Sequence, residues 1–462
     1  MEEAKKKSLK KPLLWGGGVL TVGGVLALVL CLVLPTTKNA LSGRLTNAKQ
    51  KDTTMSKWEL SSKSVSIYQT FYRSLVPLLF KGADQNQSFS LVDAFVNLAI
   101  LSELSPNYQK EITTFLGCSK DELKTAATEI ILTTETPYTI YRDGKETITG
   151  GFGLNSVWLA PNLRMQGDVT NTLKTLEDSY YADVFHSKPT SQAINAYNEA
   201  MTPSRYGNLP KINFSMDIDA AIVSTYDVYD SFTLKETETN RSDFYSKNHQ
   251  MSFLPNGKVE EKKDYLSRVS YGAHEKIGSS FTGVDSYISS LSFSFYKPNE
   301  ESTSLSSIIQ DVVDEKYEDK DYGVDSNGKD IIPVCTSKIP YFTNGGSLEL
   351  LDKYSEMGIK CLANDDGALA SLVQDALAVV FIKQENTSTL NYEGFVSKSI
   401  TVTGMCATAA IGTDPNKPTY YYYDYDGNKP FFYSVSRGLR ASGTYISLPL
   451  IYGTIANPSY SE

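Results

Sequence analysis

Histidine is nearly missing from this chain, with 3 in 462 residues, and cysteine is sparse at 5. Their spacings contain no CxxC, HxH or HExxH set, so the clusters that hold transition metals have no counterpart and no metal site is expected. The sequence also lacks a GxSxG nucleophile elbow, a phosphate-cradling GxxxxGK[ST] loop and a dinucleotide GxGxxG; Gly150-Gly151-Phe152-Gly153 is without the third glycine. His186 sits at a loop edge, and His249 and His274 lie in polar stretches, so each reads as a surface residue without a catalytic partner. Neither an enzyme nor a bound cofactor is expected. Positive charge is short as well: 44 Lys and Arg stand against 53 Asp and Glu, and five of the lysines fall in the first twelve residues. Such a chain cannot neutralise a phosphate backbone, which excludes nucleic acid as a partner. Asp424-Tyr425-Asp426-Gly427 and Asp325-Ser326-Asn327-Gly328 begin like calcium loops but have no glutamate at the twelfth position, and read as turns.

What the sequence does have is a long uncharged run, LLWGGGVLTVGGVLALVLCLVL, over residues 13–34. About 22 residues at ~1.5 Å each suffice to cross a ~30 Å hydrocarbon core. Lysines precede the run and only Lys38 and Arg44 follow closely, which predicts a basic cytoplasmic tail (1–12), a single-pass signal anchor (13–34) and everything later outside the cell. Ala40-Leu41-Ser42 offers a cleavage site, but the run is too long for a secretory h-region. Residues 35–54 are polar and without apolar periodicity, so they read as a stalk, with an extracellular domain over 55–462. Outside the cell, Cys118, Cys335, Cys361 and Cys406 either pair or sit as separate buried thiols; spacing does not choose.

Helical spacing marks 67–80 and 91–104, then a short helix through Ile112 and Phe115 that Gly117 ends; 169–178 and 191–201 are helical again. Strand composition marks 138–141, 153–159, 220–228, 286–296 and 398–403, and 434–455 reads as two strands around Arg440-Ala441-Ser442-Gly443. No internal repeat or low-complexity linker divides the chain, which predicts one α+β domain with large mixed β-sheets and surrounding helices.

Several segments together resemble the serpin family. Asn428-Lys429-Pro430-Phe431-Phe432 is similar to the Asn-Lys-Pro-Phe segment after the reactive loop, and Leu450-Ile451-Tyr452-Gly453-Thr454-Ile455-Ala456-Asn457-Pro458 to the closing LFMGxxxNP strand. Ile194-Asn195-Ala196-Tyr197 with Thr202 resembles the IN-x-aromatic helix, Ile339-Pro340-Tyr341-Phe342 the LPKF element, Met357-Gly358-Ile359 the LGI element and Phe89-Ser90-Leu91-Val92 the FSP-x-S helix start. Leu91 replaces that proline and Asp93 the second serine. The matches run in order from about residue 65 to Pro458, and imply a serpin-like fold with an exposed reactive loop near the C-terminus.

Two registers of that loop compete. In one, Glu393-Gly394 opens the hinge, but Phe395 and Lys398 fall where small residues are needed and the loop to Pro430 is long. In the other, which the sequence favours, Ser397-Lys398-Ser399-Ile400-Thr401-Val402 is the preceding strand, an insertion occupies 374–389, and the hinge is Ala407, Thr408, Ala409, Ala410 and Gly412. Small hinge residues matter because a cleaved loop enters a sheet as a new central strand with alternate side chains passing into the core. The same register puts the reactive bond at Tyr421-Tyr422, suited to the apolar pocket of chymotrypsin- or subtilisin-like enzymes. The resemblance thus implies a surface-anchored inhibitor of extracellular serine or cysteine proteases that acts as a suicide substrate. The alternative is a non-inhibitory binding or adhesion module that presents Tyr420 to Tyr423 and Tyr425 as a recognition surface.

Overall fold

The computed structural model describes residues 43–51, 59–82, 85–135, 138–142, 145–203, 210–231, 244–254, 260–288, 291–391, 394–398 and 419–460. The apolar run 13–34 and the hinge residues Ala407, Thr408, Ala409, Ala410 and Gly412 lie outside them, as does Cys406. Among the described residues no helix is long and apolar enough to cross a membrane, and no group of side chains is placed to hold a metal ion.

The first helices follow from their patterns. Helix α1 (Ser62–Leu79) buries Ile67, Tyr68, Phe71, Tyr72, Leu75 and Val76 along one stripe and starts where Ser64 donates its backbone N–H to the Ser61 hydroxyl. Helix α2 (Leu91–Leu104) is apolar on nearly every side and is accordingly buried nearly all round, Asp93 and Glu103 included. Helix α3 (Pro106–Leu116) opens with proline in its first turn and stops at Gly117. Helix α4 (Lys120–Thr134), which is absent from the elements expected above, has a complete capping box between Ser119 and Glu122. The remaining described helices are α5 (Thr170–Ser179), α6 (Ser191–Met201), α7 (Leu305–Val313), α8 (Leu351–Met357) and α9 (Cys361–Asn364).

The strands form three sheets. Sheet I has the order β13 (Phe342–Glu349), β14 (Lys383–Leu390), β15 (Gly394–Lys398), β5 (Ala220–Ser231), β3 (Lys145–Leu159), β2 (Tyr138–Arg142), with β4 (Ala182–His186) parallel to the end of β3. Sheet II runs β1 (Gln87–Ser90), β18 (Thr444–Ile455), β17 (Phe431–Ala441), β10 (Leu291–Pro298), β9 (Phe281–Ile288), β8 (Glu275–Gly278), β11 (Tyr317–Asp319). Sheet III is β16 (Tyr420–Asp426), β12 (Ile332–Pro340), β7 (Glu261–Tyr271), β6 (Phe244–Phe253). The hairpin expected over 434–455 is β17 and β18, closed by Ser442 and Gly443 at φ 47° and 86°, the left-handed pair that a two-residue turn requires. Sheets I and II face each other through aromatic rings: Phe395 meets Phe293 at 4.7 Å and Phe342 meets Tyr433 at 5.2 Å between centroids.

Part of the segment expected as a stalk packs on the domain. Residues 43–51 lie along β4, the edge of sheet I, and belong to the domain: Leu45 donates to Val184 O at 2.7 Å and His186 to Gly43 O at 2.8 Å. The Arg44 guanidinium pairs at 2.6 Å with both oxygens of Asp183, which is 1 % exposed and also accepts from Ala48 N and the Tyr197 hydroxyl. Lys51 reaches Gly153 O at 2.6 Å and pairs with buried Glu135. This docking rests on backbone and ionic contacts, so an apolar-periodicity reading has nothing to detect.

Candidate functional site

The site is an incomplete place in sheet I. Strand β5 pairs with β3 along ten positions from Leu159–Ala220 to Gly150–Tyr229, and β14 pairs with β13 along its whole length. Between β5 and β14, among the described residues, only the upper part is filled: β15 lies antiparallel to both, Gly394 opposite Ser231, Lys398 opposite Asp227 and Thr387, and Phe395 opposite Leu390. Below it, residues 220–225 of β5 and 383–385 of β14 flank a cavity of about 430 Å³ whose lining includes Asn97, Ile222, Ser224, Leu377, Phe381 and Gln384.

Alternation decides which β15 side chains face inward. Phe395 is fully buried, between Phe293 and Tyr433, and Ser397 is 1 % exposed. Ser397 joins a chain of buried hydroxyls: it meets Ser388 Oγ at 2.8 Å, and Ser388 meets Ser88 Oγ at 2.7 Å. Gln384 pairs with the backbone of Ser90, accepting from its N–H at 2.9 Å and donating to its carbonyl at 2.8 Å, and also donates to Asp93. Asn386 donates to Ser88 O and Asn344 to Thr454 O. Burial pushes the Tyr433 phenol above its usual range, although Ser388, Ser88 and Asn344 partly offset the rise. The start of α2, β14 and β15 are thus stitched by one polar seam.

The lower part is covered from outside by α6 and the segment 210–219. Asn195 fixes that segment reciprocally, accepting from Ile212 N at 2.9 Å and donating to Ile212 O at 2.8 Å, and Phe214 packs against Phe381 across the cavity at 5.8 Å. The motif Ile194-Asn195-Ala196-Tyr197 is therefore an anchor: Ile194 and Tyr197 sit in a small core with Trp158 and Phe185, and Tyr197 donates to Asp183 at 2.7 Å.

Residues 383–389, expected as an inserted excursion, are sheet: Lys383–Leu390 is the strand beside β13, and Gly394 to Lys398 occupy the next place. Tyr421 and Tyr422 lie in β16, not in a loop, paired in parallel with Pro333 and Val334 of β12. Their side chains are 43 % and 66 % exposed, but the bond between them belongs to a ladder. Tyr421 packs on Tyr322 at 4.8 Å, Tyr423 donates to Ala273 O at 2.7 Å, and Tyr425 is buried. Of the cysteines, Cys118, Cys335 and Cys361 are free thiols. Sequence reasoning missed Gln384, Asn386, Ser388 and Ser397. Their signal is a period-two polar pattern, normally a solvent face, and here it is the buried one.

No family model and no curated protein matches the chain by sequence. Solved structures do match. Native protease nexin-1 with heparin is similar at a TM-score of 0.60 with 15 % identity, over 86 % of this chain and 99 % of that one. Human thyroxine-binding globulin complexed with thyroxine gives 0.58, 15 %, 86 % and 99 %. Tengpin, a thermophilic serpin in the latent state, gives 0.59, 15 %, 87 % and 99 %. Nearly the whole length of each is covered. The chain has the serpin fold, in a form whose sequence has diverged far from these examples.

Proposed function

We propose that this protein is a surface-anchored inhibitor that acts as a suicide substrate for an extracellular serine or cysteine protease. The protease nucleophile bonds to a carbonyl carbon within residues 399–418, the peptide C–N bond breaks, and the new amine leaves with a proton. The freed segment then continues β15 down between β5 and β14 and carries the acyl-enzyme with it. The observation behind this reading is β15 itself, a short strand already in place above a cavity that more strand would fill. On insertion, the alternation set by Phe395 and Ser397 brings Ser399, Thr401 and Thr403 to the buried side, all small enough to pass.

The register changes the bond. The separation of Ala407 from Tyr421, measured instead from Gly394, ends on Thr408, which favours Thr408-Ala409 and an enzyme with a shallow specificity pocket. Cleavage at Tyr421-Tyr422 by a chymotrypsin- or subtilisin-like enzyme would first require β16 to leave β12. The experiment is to mix the protein with elastase-, chymotrypsin-, subtilisin-, trypsin- and papain-class proteases and look for a denaturant-resistant complex, sequencing the released C-terminal fragment by mass spectrometry. Thr401→Arg should abolish the complex while cleavage continues, because an unpaired charge stalls the entering strand. Thr408→Arg should recruit trypsin-like enzymes; with a hinge at Ala407 it would instead leave a mere substrate. Cleavage without any complex overturns inhibition. The second reading, a non-inhibitory binding or adhesion module, is favoured by the exposure of Tyr421 and Tyr422 on β16 and by the bulk of Phe214 over the lower cavity.

A further inference from the structure

The lower cavity is polar on its inner wall and apolar elsewhere. Helix α2 buries every residue except Asn97, which shares with Asp93 and Leu101, at four-residue spacing, the face that lines the cavity. The Asn97 amide donates to Ile222 O at 3.2 Å, and its carbonyl oxygen accepts no hydrogen bond among the described residues. Ser224, two positions along β5 from Ile222, lines the same cavity, and its buried hydroxyl has no partner among the described residues. Asp93 accepts from Gln384 at 3.1 Å. Acceptors therefore gather on this wall: a carboxylate, an amide carbonyl and a hydroxyl.

The opening is of another character. Phe214 and Phe381 meet across the cavity, and Met216 and Val380, which also line it, are 54 % and 57 % exposed. Two such side chains at one opening suit the entry of an apolar body. Charge then decides the head group. The lining holds Asp93, Asp217, Asp219 and Glu385 against one cation, Lys383, which pairs with Glu385 at 2.7 Å. A ligand carboxylate meets no free cation in this lining and leaves the Asn97 carbonyl unsatisfied. A primary ammonium brings three N–H donors and no acceptor, which matches what the inner wall offers. At about 430 Å³ the cavity is at the low end for small-molecule sites, which suits an apolar body on the order of ten carbons.

We propose that this cavity binds a small amphiphile, a primary amine on an apolar body, with the ammonium on Asp93, Asn97 and Ser224 and the body between Phe214 and Phe381, and that a filled cavity keeps further strand from entering sheet I. The binding rests on the lining alone. The block rests on the proposed protease trapping.

The test uses the full chain in phosphatidylcholine vesicles and a ten-carbon primary amine that carries a diazirine on its chain. After photolysis, mass spectrometry should place saturable crosslinks within 210–219 and 377–382. Unlabelled decylamine should displace the probe about tenfold better than decanoate, with decanol between them. Each methylene added from hexylamine to decylamine should tighten the competition about fourfold. Ser224→Ala, which removes an unpartnered group and so spares the fold, should weaken decylamine several-fold and leave decanoate unchanged; Asn97→Leu, which also fills the wall, should abolish saturable labelling. Crosslinks spread over the whole surface, decanoate competing as well as decylamine, or an unchanged decylamine affinity in S224A overturns the site. The block has its own readout. Saturating decylamine should lower the yield of denaturant-resistant protease complex while cleavage continues, and an unchanged yield overturns it. If no protease forms a complex even without amine, the trapping falls and the block with it, while the crosslink map still decides the site.

Discussion

The upper and lower halves of the interval between β5 and β14 are made of opposite materials. The upper half is closed by β15, locked by Phe395 against Phe293 and by the Ser397–Ser388–Ser88 chain. The lower half is a cavity under Phe214 and Ile212, held shut from outside by Asn195. Two separate groups of residues thus hold this interval, one fastening the strand already placed and one covering the space below it, and each can be altered alone.

The largest effect should come from Phe395→Ala, which empties a fully buried site in the upper half. A loss of about 3–5 kcal/mol is expected, read by thermal or denaturant unfolding. A loss below about 1 kcal/mol would mean that β15 is not fastened in the folded protein. Next is Ser388→Ala, which leaves Ser88 and Ser397 without their shared partner at a cost of about 1–3 kcal/mol. If the polar seam fastens β15, S388A combined with F395A should be non-additive; strict additivity would separate the two. Asn195→Ala acts on the lower half. It should cost about 1 kcal/mol in stability and, if the cover resists insertion, raise the yield of protease complex relative to cleavage.

Glu135 gives a smaller, pH-dependent contrast at the docked edge. Burial lifts its carboxyl above the ordinary 4.5 even though Lys51 pulls the other way. The fold therefore holds this proton more tightly than the unfolded chain does. Its contribution to stability is complete below the ordinary value and is lost as pH rises through the raised one. Glu135→Gln should remove that slope from a stability-versus-pH curve. The least effect concerns the thiols: burial pushes Cys118 up to about 11 and Cys335 to about 12, so both should alkylate slowly at neutral pH in the folded state and quickly after unfolding.

These regions also show what the sequence could reveal. The hairpin of β17 and β18 was legible because alternating apolar residues flank a turn that needs left-handed backbone, and α1 and α2 because their apolar residues repeat at helical spacing. Helix α4 was missed although Ser119-x-x-Glu122 caps it and Leu123, Ala126, Ala127, Ile130 and Ile131 repeat at helical spacing, because the two alanines and the interspersed threonines dilute the apolar contrast. Strand β14 was read as an excursion because KQENTSTL carries polar residues on the face that turns inward. Its partner across the core is the start of α2, about three hundred positions away. The docked segment 43–51 escaped for a related reason: its hold depends on Asp183, whose role is visible only once β4 lies beside it. The run of tyrosines in β16 has a parallel partner nearly ninety residues upstream, and nothing local separates such an edge strand from a loop.

The place of β18 also sets a clock for biosynthesis. This strand pairs on one side with β17 and on the other with β1, and its Pro449 carbonyl accepts the Tyr68 hydroxyl of α1. The Gln87–Ser90 strand, and the parts of α1 and α2 that face β18, must therefore wait for Thr444–Ile455 before they are covered. At ~5–20 residues per second that wait lasts on the order of 20–70 s. During it a newborn chain presents those surfaces uncovered, so protection from aggregation has to be supplied by the machinery around it until the last strand arrives.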